Sequence, residues 1–192
     1  PAFPMLACLE MICYSEPALP QLPSTLTSLT MLFPTSLETV PLVPSLCSFS
    51  VLESSESLDG LEWPAEMTGF TRLTSLILEG CQGLTELPDW VAALPALEVL
   101  GLQSAELEDL PELGCISSLC QLMLLPPPLR QVPGSLAGAS RLSCLLMTGL
   151  DSLGIDEEGL VTLRSLPALK VLGLPFSEGV QPADLTEGSG KY

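Results

Sequence analysis

The stretch Leu97-Glu98-Val99-Leu100-Gly101-Leu102-Gln103 decides the fold. In an extended strand, successive side chains point to opposite faces. Leu100 and Leu102 therefore share one face, and Val99, Gly101 and Gln103 share the other. The spacing L-x-x-L-x-L does not stop there. Upstream it returns as Leu73, Leu76, Leu78; as Leu46, Phe49, Val51; as Leu26, Leu29, Met31; and as Leu6, Leu9, Met11. Downstream it returns as Leu119, Leu122, Leu124; as Leu142, Leu145, Met147; and as Leu169, Leu172, Leu174. The steps between first residues are 20, 20, 27, 24, 22, 23 and 27. Eight units holding one phase are more than leucine abundance produces by chance.

Each unit carries a second apolar pair further on: Leu84 with Leu87, Leu107 with Leu110, Leu129 with Val132, Leu153 with Ile155. Proline follows at Pro41, Pro88, Pro111 and Pro133, where a residue without an N–H ends a turn. One short strand and one return segment bury too little apolar surface to be stable alone. Stacked coils bury a continuous core, which takes about three or more units. The expected fold is an α/β, right-handed solenoid with a parallel sheet on the concave side. Abundant proline and short steps predict returns that are extended or single helical turns.

The ladder resembles the leucine-rich-repeat family over residues 6 to 174. Leu19-Pro20-Gln21-Leu22-Pro23, followed by Leu26, Leu29 and Met31, looks like the short unit of bacterial effectors, whose return is extended. The run from Leu76 to Pro88, with Gly80-Cys81-Gln82-Gly83-Leu84 inside it, resembles repeats of plant intracellular immune receptors. Ile155-Asp156-Glu157-Glu158-Gly159-Leu160, before Leu163 and Leu166, resembles the longer helical repeats of F-box-type receptors. Asp156 is placed to cap a helix from Glu157 to about Ser165, with acids in its first turn. A second helical return is expected from Asp89 through Leu94. The family usually sets an asparagine after the last strand leucine, yet this chain has none. Cys81, Ala105, Pro127, Leu150 and Ser177 stand at the matching positions, which predicts looser turns.

Residues 1–176 read as the solenoid and 177–192 as a polar, frayed tail. Glu53 to Glu66 reads as an enlarged loop between coils. The first residue is Pro1, and no capping sequence is recognisable. The chain therefore reads as part of a larger protein whose adjoining segments are themselves partners.

With 23 acids against 6 bases the net charge is −17, and Arg72, Arg130, Arg141, Arg164, Lys170 and Lys191 are scattered. Nucleic acid is excluded as a partner, because binding phosphate takes clustered cations. The charge favours a protein with a basic surface. No apolar run reaches the roughly 18 to 20 residues of a membrane-spanning helix, so no insertion is expected. The seven cysteines, Cys8, Cys13, Cys47, Cys81, Cys115, Cys120 and Cys144, are odd in number and irregular in spacing. They read as buried or partly buried free thiols in a reducing, intracellular and cytoplasmic setting.

No catalytic constellation is found. There is no histidine, which removes the commonest base and metal ligand. Cys8 with Cys13 and Cys115 with Cys120 lack zinc-knuckle spacing. Gly188-Ser189-Gly190-Lys191 lacks the rest of a phosphate loop. Glu106, Glu108 and Asp109, like Asp156, Glu157 and Glu158, fall on turns or helix starts, where solvated charge is the expected role. No cofactor or metal is expected.

That leaves the side chains between the leucines. The outward column is poor in charge and gathers Ile77, Met123, Leu125 and Leu146, and exposed apolar groupings of this kind mark interaction sites. Ser75, Ile77, Glu79, Val99, Gln103, Gln121, Met123, Leu125, Leu146 and Thr148 are the candidate partner-binding residues. The expected function is a non-catalytic protein–protein interaction module. The alternatives are the substrate-recognition arm of a ubiquitin ligase and a structural subunit of a large assembly.

Overall fold

The computed structural model describes residues 3–34, 39–52, 69–80, 87–103, 110, 112–125, 132–147 and 156–174. Among them the leucine ladder becomes eight short strands: β1 (Cys8–Ile12), β2 (Ser28–Leu32), β3 (Ser48–Leu52), β4 (Ser75–Glu79), β5 (Val99–Gln103), β6 (Gln121–Leu124), β7 (Cys144–Met147) and β8 (Val171–Gly173). They form one open sheet in sequence order, and every neighbouring pair is parallel. The register is the repeat itself. Leu29 lies beside Phe49, Phe49 beside Leu76, Leu76 beside Leu100, and Leu100 beside Leu122 and then Leu145. The chain has the fold of a leucine-rich-repeat solenoid, an open parallel sheet of eight strands joined by short returns.

The inward positions make the core. Leu76, Leu78, Leu100 and Leu122 have no solvent exposure, and Leu102 and Leu124 have almost none. The first leucine of each unit is buried too, from Leu26 to Leu142. Two further apolar columns run through the returns. One lies three residues before the first leucine: Val43, Phe70, Leu94, Ile116, Ala139 and Leu166. The other lies six before it: Val40, Val91, Leu113, Leu136 and Leu163. The first of these columns sits at a tight turn, in which the leucine N–H donates to the carbonyl three residues back, as in Leu46 to Val43 and Leu119 to Ile116. Of the described late members of the second apolar pairs, Leu87 and Val132 are buried and Leu110 is partly buried.

The returns are short, as proline and spacing predict. In the first two coils the return is extended and forms a parallel bridge between Ala18 and Thr39. Later returns are single 3-10 turns at Asp89–Ala93, Leu113–Cys115 and Gly134–Gly138. The helical reading over 89–94 is therefore met by a 3-10 turn, with Pro88 at its N-cap and no side-chain cap. One α-helix, α1 (Glu157–Arg164), follows Asp156, whose carboxylate accepts the Gly159 N–H at 2.8 Å. Glu157 and Glu158 in its first turn and Arg164 in its last complement the helix dipole.

The 3-10 turns stack closely. A Cβ at Gly114 would collide with the Ser135 carbonyl, and one at Gly138 would sit 2.9 Å from the Gly114 carbonyl. Two glycines facing one another let these coils approach backbone to backbone.

One expectation needs correcting. Cys8, Cys13 and Cys115 are exposed, whereas Cys47, Cys120 and Cys144 are partly buried. Cys8 points outward from β1, Cys13 occupies the turn after it, and Cys115 closes a surface 3-10 turn. All six are free thiols. The enlarged loop at 53–66, the asparagine-equivalent positions and the tail 177–192 lie outside the described residues.

Leu100→Ala should cost about 2–5 kcal/mol, because a fully buried leucine is truncated between two stacked neighbours. Chemical denaturation measures this, and a near-zero cost would contradict the register. Gly114→Ala should destabilise by roughly 1–3 kcal/mol through overpacking. Amide exchange should then rise in both adjoining 3-10 turns.

Candidate functional site

The candidate face is built on a repeated backbone joint at the start of each strand. The carbonyl of the residue after the first leucine accepts two N–H groups from the next coil. Ala7 O takes Thr27 and Ser28, Thr74 O takes Glu98 and Val99, and Glu98 O takes Cys120 and Gln121. The same pattern holds from Thr27, Cys47, Cys120 and Ser143. Side-chain hydroxyls reinforce it. Thr27 and Thr74 donate to Ala7 O and Cys47 O at 3.1 and 3.0 Å, and Ser143 to Cys120 O at 3.1 Å. One position before the leucine, Thr25, Ser45 and Ser118 donate to Leu6 O, Leu26 O and Leu97 O at 2.7–2.8 Å.

These hydroxyls were missed by a reading centred on the leucines, although their signal is present. Ser or Thr flanks the first leucine in Thr25-Leu26-Thr27, Ser45-Leu46, Leu73-Thr74, Ser118-Leu119 and Leu142-Ser143. The flanks Ala96/Glu98 and Ala168/Lys170 have no hydroxyl to offer.

At the other end of the strand the chain turns sharply. Cys13, Phe33 and Gly80 hold the equivalent place, all with positive φ, at 53°, 52° and 65°. Their N–H groups donate across to Leu32 O, Leu52 O and Gln103 O. Only Gly80 meets that conformation without a Cβ penalty.

Between these two fixed ends the outward side chains stand in three columns. The first runs through Ser75, Val99, Gln121 and Cys144, and the third through Glu79, Gln103 and Leu125. The central column runs Ile77, Gly101, Met123, Leu146 on β4 to β7, each aligned with the next. Ile77, Met123 and Leu146 are partly exposed, and Gln103 and Gln121 are exposed. Gly101 is buried, because its neighbours lean across it. A Cβ built there would lie 3.3 Å from Met123 Cε and 3.4 Å from Ile77 Cγ2. Eight of the ten candidate residues thus stand on registered strands of one sheet, and Leu125 follows directly after β6. Thr148 lies outside the described residues.

Charge is sparse here. Among the described outward strand residues only Glu10 and Glu79 are charged, and both are acidic. The described cations Arg72, Arg141, Arg164 and Lys170 are exposed and lie off this face. Asp156, Glu157 and Glu158 are exposed at the start of α1. Among the described residues no three His, Cys, Asp or Glu side chains are grouped to hold a metal ion, and no helix is long and apolar enough to cross a membrane.

No protein-family model and no curated protein matches the sequence. Solved structures do resemble the fold. An internalin from Listeria monocytogenes aligns over 85% of this chain and 53% of its own, at 14% identity and a TM-score of 0.47. A leucine-rich repeat protein from Eubacterium ventriosum aligns over 80% and 35%, at 15% identity and a TM-score of 0.27. The chain spans about half the length of the first and about a third of the second. At such similarity they bear on neither partner nor activity. The fold rests on the strand register given above.

Proposed function

We propose that this solenoid is a non-catalytic protein-interaction module that binds its partner on the concave sheet, over β4 to β7. One observation carries the reading: Ile77, Gly101, Met123 and Leu146 form a continuous apolar column on four successive strands. The leucine ladder needs only inward positions to be apolar. An outward position is free to be polar, as Thr30 and Ser50 are in the same column on β2 and β3. Apolar residues kept on the outward side serve something other than the core. Contiguous apolar surface rimmed by polar residues, here Ser75, Gln103 and Gln121, is the usual form of an interaction site. Met123 adds adaptability, since its unbranched thioether repacks against varied surfaces.

Rigidity favours the same use. Each of β4 to β7 is bonded on both sides and underlain by buried apolar side chains, so the face is preorganised and binding orders little. The acidic balance of the chain, with no cation among the described outward strand residues, selects for a partner whose surface is neutral or basic.

The double variant Ile77→Asp/Met123→Lys should abolish partner binding while leaving the circular dichroism spectrum unchanged. Both side chains are partly exposed, so folding should tolerate the charges. A partner retained at full affinity by that variant would refute the concave site.

A further inference from the structure

We infer that Gly101 floors a socket for one aliphatic side chain of a cationic partner segment, with Met123 as its movable wall. The inference rests on the concave-face reading and adds a position and a chemistry to it. Parallel strands lie about 4.8 Å apart, so Ile77 and Met123, two strands apart, stand roughly 10 Å from one another with no side chain between them. That gap is the width of one missing residue. It is closed only by lean: the atoms that would meet a Cβ at Gly101 are Met123 Cε at 3.3 Å and Ile77 Cγ2 and Cγ1 at 3.4 and 3.5 Å.

The two walls differ in stiffness. Ile77 is β-branched and restricted at χ1. Met123 reaches over with its terminal methyl, on an unbranched chain with three rotatable bonds. Swinging that methyl aside exposes the Gly101 backbone between apolar walls, with Val99 on the same face of β5. An aliphatic group entering there trades a Met–Gly contact for burial on several sides, which is how anchor residues contribute affinity.

Charge selects what carries the anchor. Glu79 follows Ile77 by two residues on the same face of β4. Among the described residues no outward strand position bears a cation. With a net charge of −17 on the chain, an acidic segment is repelled and a segment carrying Lys or Arg is attracted.

The test uses the full chain with Ile and Met methyl groups labelled for NMR, and three short peptides of one pattern: Leu/Lys, Leu/Glu and Ser/Lys. The Leu/Lys peptide should shift the Ile77 and Met123 methyls, and the other two should not. Gly101→Ala should weaken Leu/Lys binding by about tenfold, because its methyl occupies the socket. Met123→Ile, a wall that cannot swing, should weaken it similarly and stands in if Gly101→Ala fails to fold. Unchanged affinity in these variants, with the methyls still shifting, would refute the socket and leave concave binding standing. Equal shifts from the Leu/Glu peptide, or equal binding of Ser/Lys, would refute the chemistry assigned. No methyl shift from any peptide would refute the concave reading and the socket with it.

Discussion

One carbonyl per coil sets the register of this molecule. It belongs to the residue after the first strand leucine and takes two backbone N–H groups from the next coil. That joint sets where each strand begins. With the starting point repeated, the remaining strand bonds bring Leu29, Phe49, Leu76, Leu100, Leu122 and Leu145 side by side. Each bond is worth only about 1 kcal/mol net, but it directs buried leucines into contact, and these supply most of the stability. In such an array stability adds coil by coil through nearest neighbours. The flanking serines and threonines add a hydroxyl donor at five of its seven occurrences, either to the joint carbonyl itself or to the carbonyl of the leucine before it.

The stacking principle also explains a gradient along the sheet. Leu9 and Met11 on β1 are only partly buried, whereas Leu29 and Met31, one coil on, are almost fully so. β1 forms the edge of the described sheet and is covered by β2 alone. Leu172 and Leu174 at the opposite edge show the same partial cover. The middle coils are covered from both sides, and the apolar outward column sits there.

The outward face follows from alternation. Filling the inside with leucine forces the residues between them outward without dictating what they are. Most are small or polar, including Ser28, Ser48, Ser75 and Thr30. From β4 to β7 the central column departs from that rule, and Gly101 interrupts it with an absence of side chain. The backbone there is indifferent to the choice, so the departure concerns the surface and not the coil.

The eight strands, their parallel order, the inward leucines and the cap at Asp156 were legible in the sequence, because period-2 alternation and helix capping depend on residues close together in the chain. The ten outward candidates came from the same alternation, and eight of them lie on the registered strands. Other features depend on contacts between coils some twenty residues apart. The hydroxyl bonds across coils, the facing glycines Gly114 and Gly138, the exposure of Cys8, Cys13 and Cys115, and the lean of Ile77 and Met123 over Gly101 are of that kind. Only the three-dimensional stacking decided them, since whether two backbones touch or a side chain falls into a neighbour's empty place is set by the distance between coils, which no local pattern encodes.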